Sequence, residues 1–222
     1  MAGPSTHNSS PADSACVQRQ IQARRALCAA PVLPHSGCRG EGKGAFEKPI
    51  PLPVASLDLV VFAAGKADNR PSLQELDGRR WRATMDNNLT ACYLLCRATH
   101  ALLKDASASV VLLSSIHGIT AGGPISGPAY AAAKAGVLSL TRYLAREWAP
   151  DKIRVNAIAP GAVKTPMVYS RLSEEDLSAL KERIPLRKFA EPREIAEAVE
   201  YLSLAKSVTG TTIVVSNGEH ER

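Results

Sequence analysis

From Leu57 onward, short apolar runs alternate with longer amphipathic stretches, and that alternation leaves few folds open. Leu57-Asp58-Leu59-Val60-Val61-Phe62-Ala63 is almost continuously apolar and ends at Ala64-Gly65, the pattern of a strand buried on both faces. Ser109-Val110-Val111-Leu112-Leu113-Ser114, Ile153-Arg154-Val155-Asn156-Ala157-Ile158-Ala159 and Thr211-Thr212-Ile213-Val214-Val215 read the same way. Between the first two, Trp81, Met85, Leu89, Cys92, Cys96, Thr99 and Leu103 recur at three-to-four spacing, which predicts one helix of several turns. Pro128, followed by an Ala/Leu-rich stretch to Trp148, predicts a second helix. Glu191-Pro192-Arg193-Glu194 opens a third, ending near Leu204. Repeated βα units imply an α/β fold with a doubly wound parallel sheet.

Composition narrows the class further. A chain of 222 residues, 45% hydrophobic and 22% charged, is ordinary globular material for one domain, or one domain plus a tail. The net charge of +6 is modest, and aromatics at 5% are not interleaved with Lys/Arg, which argues against a nucleic-acid partner. No apolar run approaches the roughly 20 residues that cross a bilayer, so no membrane partner is expected. Five cysteines, an odd number without C-x-x-C, suggest neither disulfides nor a metal site. Cys92 and Cys96 read as small core residues, and the whole as a protein of a reducing, cytoplasmic compartment. Residues 1–53 differ: rich in Ser, Ala, Pro, Gly and Arg, with Asp13 the only acid before Glu41. They read as a disordered or targeting-like extension, with organelle targeting as one alternative. Residues 54–222 form the globular unit.

In a sheet of this kind ligands bind outside the carboxyl ends of the strands. Ser114 and Ser115 stand at one such end, where a hydroxyl can stabilise a developing oxyanion. His117 follows; it could line the substrate mouth, but a solvated loop histidine is the preferred reading. Tyr130 and Lys134 are four apart on a helix and share a face, so a cation beside the phenol is expected to favour the phenolate. Ala159-Pro160-Gly161-Ala162-Val163-Lys164-Thr165-Pro166 forms a tight turn after the third strand.

With these residues together the chain resembles the short-chain dehydrogenase/reductase family over about residues 56–218. The matching pieces, in order, are Ala64-Gly65, Asn88-Leu89, Ser114-Ser115, Tyr130-x-x-x-Lys134, Arg154-Val155-Asn156-x-x-x-Pro160-Gly161-x-x-x-Thr165 and Val208-Thr209-Gly210. The resemblance implies a Rossmann-like fold and an NAD(P)(H)-dependent oxidoreductase acting on a small-molecule carbonyl or alcohol. Tyr130 would be the acid/base, Lys134 would lower its pKa and bond the nicotinamide ribose, and Ser115 would polarise the carbonyl. Asn88 would hold a water linking Lys134 to solvent. Ala64, Gly65, Tyr130, Lys134, Pro160, Gly161, Val163 and Thr165 would bind NAD(H) or NADP(H), with the preference between them open. A homodimer or homotetramer is also implied.

Two departures matter. Phe62-Ala63-Ala64-Gly65 stands where the family has N-N-A-G. The family's opening strand, T-G-x-x-x-G-x-G turn and helix have no patterned counterpart, so the first βαβ half reads as missing or degenerate. Ser36-Gly37-Cys38-Arg39-Gly40-Glu41-Gly42-Lys43 resembles that turn with one residue deleted, but Pro31 and Pro34 precede it and Pro49 follows. On this reading residues 59–63 become an exposed apolar edge strand. The contrasting expectation is a non-catalytic protein of the same fold, acting as an assembly subunit through the Met85 and Tyr130 helices.

Overall fold

The computed structural model describes residues 26–29, 55–68, 72–104, 106–120, 122 and 126–221. Its centre is a five-stranded, fully parallel sheet in the order β1 (Ala26–Ala29), β2 (Leu59–Phe62), β3 (Ser109–Leu113), β4 (Arg154–Pro160) and β5 (Thr212–Val215). The four apolar runs all become strands, and alternation sends their residues to two cores. Val60, Phe62, Val110, Leu112 and Val155 join one hydrophobic cluster, while Leu59, Val111 and Ile158 join another. Fully burying one such side chain contributes about 1.5–3 kcal/mol, so covering both faces is what holds these strands.

The first core is covered by α2 (Ala91–Leu103) and α4 (Pro128–Glu147), the second by α7 (Pro192–Leu204). Arg154 and Asn156 fasten the second side. Arg154 donates to the carbonyls of Leu202, Ser203 and Ala205, the orphan acceptors at the end of α7. Asn156 is wholly buried and bonds Val208 O and Thr211 N. The Val208-Thr209-Gly210 motif is thus the seam between α7 and β4, closed by Val155 N donating to Thr209 Oγ1 and by Gly210 N donating to Val155 O.

The structure corrects two expectations. The strand at residues 59–63 is not an edge: β1 pairs with it in parallel, from Ala26↔Leu59 to Ala29↔Phe62. The long helix also breaks. α1 (Gly78–Met85) passes through a π-helical turn, Asp86–Thr90, before α2 begins. One extra residue in a turn rotates the faces, so Thr84 and Asn88 point inward while Trp81 is exposed. The glycine-rich stretch at residues 36–43 and the organelle-targeting reading lie outside the described residues. No described helix is long and apolar enough to cross a membrane.

The short helix α3 (His117–Thr120) lies directly on α4. A Cβ at Gly118 would sit 2.7 Å from Lys134 C and 2.8 Å from Ala135 N, both backbone atoms that cannot swing aside. Gly118→Ala should therefore destabilise the chain by about 1–3 kcal/mol, read as a lowered denaturant midpoint. An unchanged midpoint would contradict this packing.

Candidate active site

Ser114 and Ser115 follow β3 as neighbours and so point opposite ways. The Ser114 hydroxyl donates to Lys134 O at 2.8 Å, tying α4 to the strand end. The Ser115 hydroxyl accepts from His117 N at 3.2 Å and, lying beside the Tyr130 phenol, lowers its pKa. Lys134 is 3% exposed and its Nζ donates to Leu113 O at 2.9 Å, 5.6 Å from the centre of the Tyr130 ring. Ser115, Tyr130 and Lys134 line one cavity of about 310 Å³.

Burial dominates the electrostatics of the pair. Burial pushes the Tyr130 phenol up to about 12, with the Ser115 hydroxyl and the Arg171 guanidinium pulling it back and the Asp68 carboxylate adding to the rise. It also pushes Lys134 down to about 8. Both groups are drawn toward their neutral forms because water is excluded from both.

Gly65 sits against the pair: a Cβ there would lie 2.9 Å from Asn88 Oδ1 and 3.1 Å from Lys134 Nζ. Asn88 is fully buried in the π-turn and spends both amide hydrogens, on Lys66 O at 2.9 Å and Thr84 O at 2.8 Å. Its Oδ1 accepts from Lys66 N at 3.2 Å. Across the cavity, Pro160, Gly161, Val163 and Thr165 line the opposite wall, and Ala64 and Gly65 line the β2 side. The turn is held by Lys164 N donating to Ala190 O and by Ala190 N donating to Ala162 O, each at 2.9 Å. The residues that border this space fit the nicotinamide end of a dinucleotide: a buried ammonium, a phenol and a backbone turn surround it.

Several contributors carry no local signal in the sequence. Asp68 is buried and its two oxygens accept from Gly127 N at 2.6 Å and Tyr130 N at 3.3 Å. A glycine N-cap has no side chain to cap with, so a carboxylate from a distant loop seats the helix that carries Tyr130. Only the bare Gly127-Pro128 start hints that a cap must come from elsewhere. Arg171 reaches the same loop, donating to Ala67 O at 3.2 Å. Glu219 lines the cavity and accepts from Ala162 N at 2.9 Å; burial raises its pKa. His117, expected in solvent, is buried against Tyr130 because α3 packs on α4.

The buried lysine makes stability depend on pH. The unfolded chain holds the Lys134 proton to about 10.5, the folded chain only to about 8, so stability gains as pH rises between those values, by roughly 3 kcal/mol at most. Tyr130 acts oppositely from 10 to about 12, where the unfolded phenol ionises first and stability is lost. In Lys134→Met, the rise of the melting temperature from pH 8 to pH 10 should shrink or vanish. The same rise in both proteins would refute the shift.

The family model described as enoyl-(acyl carrier protein) reductase matches residues 52–220. The cis-4-hydroxycyclohexanecarboxylate dehydrogenase of Sinomonas cyclohexanicum is 38% identical over 166 residues, covering 73% of this chain and 66% of that protein. An oxidoreductase of the short-chain dehydrogenase/reductase family from Burkholderia thailandensis superposes with a TM-score of 0.66 at 36% identity, covering 73% of this chain and 64% of that one. A 3-oxoacyl-(acyl-carrier protein) reductase from Brucella melitensis, solved with bound NAD, gives a TM-score of 0.66 at 30% identity, covering 74% and 62%. The chain spans less than two thirds of the length of each of these proteins. Residues 52–220 carry the match, and the chain belongs to the short-chain dehydrogenase/reductase family.

Proposed function

We propose that the chain is an oxidoreductase interconverting an alcohol and a carbonyl with NAD(H) or NADP(H). The observation that carries this reading is one cavity bordered by Ser115, Tyr130 and Lys134 on one side and the 160–165 turn on the other. Ala64, Gly65, Tyr130, Lys134, Pro160, Gly161, Val163 and Thr165 would hold the nicotinamide end of the cofactor, which supplies or takes the hydride when bound.

The chain's own residues do the positioning and the proton work. In the reducing direction, the substrate oxygen accepts hydrogen bonds from Ser115 Oγ and the Tyr130 hydroxyl. As charge develops on that oxygen, both donors stabilise it, and Tyr130 transfers its proton. A phenol held near 12 is fully protonated at neutral pH, so the resting site is set as a proton donor. The resulting phenolate is stabilised by the nearby ammonium of Lys134. Asn88 acts chiefly by holding the Gly65-Lys66 backbone against Lys134; a water joining Lys134 to solvent would use the remaining lone pair of Oδ1. The substrate is a small molecule, and the mostly apolar lining, with Val168, Leu180 and Ile195, suits a carbon skeleton with few charges.

Tyr93 on α2 and Tyr143 on α4 are exposed, which fits a homodimer or homotetramer formed through those helices. The same surface supports the second reading, a non-catalytic assembly subunit.

Titration with NADH and NADPH, followed by cofactor fluorescence, separates the two. Saturable binding is expected; none at millimolar cofactor would leave the assembly reading. Tyr130→Phe should lower kcat by about a hundred- to ten-thousand-fold, far more than it weakens cofactor binding. Persistent turnover would refute the proton-transfer role.

A further inference from the structure

His117 is a titratable group in the cavity that the proton-transfer scheme does not use. It is 7% exposed, and its ring meets the Tyr130 ring edge-on with 6.2 Å between centres. Its Nδ1 is 2.6 Å from Ser126 Oγ, and Ser126 is also buried. Among the described residues Nε2 has no protein partner, yet no buried side-chain nitrogen or oxygen lacks one, so Nε2 retains open surface. The open space that His117 borders is the cavity containing Tyr130.

The ring is also neutral. Burial alone pushes its pKa below the usual 6.5, so at neutral pH it offers no charge to an anionic substrate. What it offers is one hydrogen-bonding nitrogen, fixed in direction by Ser126 at the other edge of the ring. Much of the wall is apolar, including Ala67, Ala162, Val163 and Met167. A substrate oxygen beyond the reacting one therefore has few partners, and His117 is the one beside Tyr130.

We propose that His117, oriented by Ser126, is a specificity-determining residue that reads a second neutral oxygen of the substrate, close to the carbon that reacts at Tyr130. This rests on the oxidoreductase reading above and narrows its substrate class to neutral dioxygenated compounds: hydroxyketones, diketones and the matching diols. A hydroxyl suits either tautomer of the ring, and a keto oxygen suits the one with hydrogen on Nε2. A site built around a hydrogen bond discriminates against the analogue that lacks it, because the analogue displaces water from the protein group without replacing its hydrogen bond.

The test compares reduction of acetoin and butanone, which differ by one hydroxyl, in wild type, His117→Phe and His117→Gln. The acetoin-to-butanone ratio of kcat/KM should fall at least about tenfold in His117→Phe, mainly through KM for acetoin, and recover in part in His117→Gln. An equal ratio in wild type and His117→Phe would overturn the proposal while leaving the oxidoreductase reading intact. A second measurement needs no turnover: acetoin, but not butanone, should shift the imidazole NMR signal that disappears in His117→Phe. If acetoin shifts that signal but neither compound is ever reduced, the oxidoreductase reading falls and the oxygen-binding role of His117 stands. If neither compound is reduced and the signal does not move, both are overturned.

Discussion

The burial of Lys134 at the junction of β3 and α4 is the constraint on which the rest of the site depends. An ammonium out of water is costly unless it is bonded, and the carbonyl of Leu113 at the strand end is what receives it. Ser114 then bonds the carbonyl of the same lysine, and Gly118 lies on its backbone. Helix and strand end are thereby locked at three points around one residue. Once that register is set, Tyr130 follows one turn earlier on the same face, and strand alternation turns Ser115 toward it as Ser114 turns away. The chemistry of the cavity is a consequence of this seam.

Much of that seam was legible in the sequence, and the reason is local. Runs such as Val110-Val111-Leu112 can be little else than strands buried on both sides, and Pro128 marks the start of the helix carrying Tyr130 and Lys134. What was not legible depends on distance or on short length. Ala26-Leu27-Cys28-Ala29 is four residues without a β-branched side chain, so nothing in it announces a strand, and the sequence alone leaves β2 looking like an edge. The π-turn at Asn88 leaves the three-to-four spacing of its neighbours nearly intact, so one continuous helix fitted the pattern equally well. Asp68 caps a helix 62 residues further on through Tyr130 N, a contact only the folded chain creates. The Arg154-Val155-Asn156 motif was readable as a family mark, but its mechanical work, capping α7 and closing the Val208–Gly210 loop, needed the three-dimensional arrangement.

Burial outweighs the pairing of Tyr130 with Lys134 that spacing alone suggests. Spacing alone puts a cation beside a phenol and suggests an acidified phenol. Spacing says nothing about water, and here desolvation is the largest influence on both groups. Asp68 has two effects that oppose each other: it seats the helix through backbone N–H groups, and its charge makes a phenolate harder to form. Arg171, tied to the neighbouring Ala67 carbonyl, offsets part of that penalty. The loop that follows β2 therefore both builds the site and sets its proton balance.

The far wall follows the same logic from the other end of the chain. Gly161 has no room for a side chain: a Cβ would meet Glu219 Oε2 at 2.5 Å and Ser216 Cα at 3.0 Å. Glu219 reaches that place because Gly218 takes a left-handed φ of 87° and packs against Pro185. On the other flank Ala190 holds the turn at Ala162 and Lys164. The 160–165 turn is thus clamped between residues 26 or more positions later in the chain. A Pro-Gly motif supplies the bend, but the two clamps supply its rigidity, and a binding wall needs rigidity as much as shape.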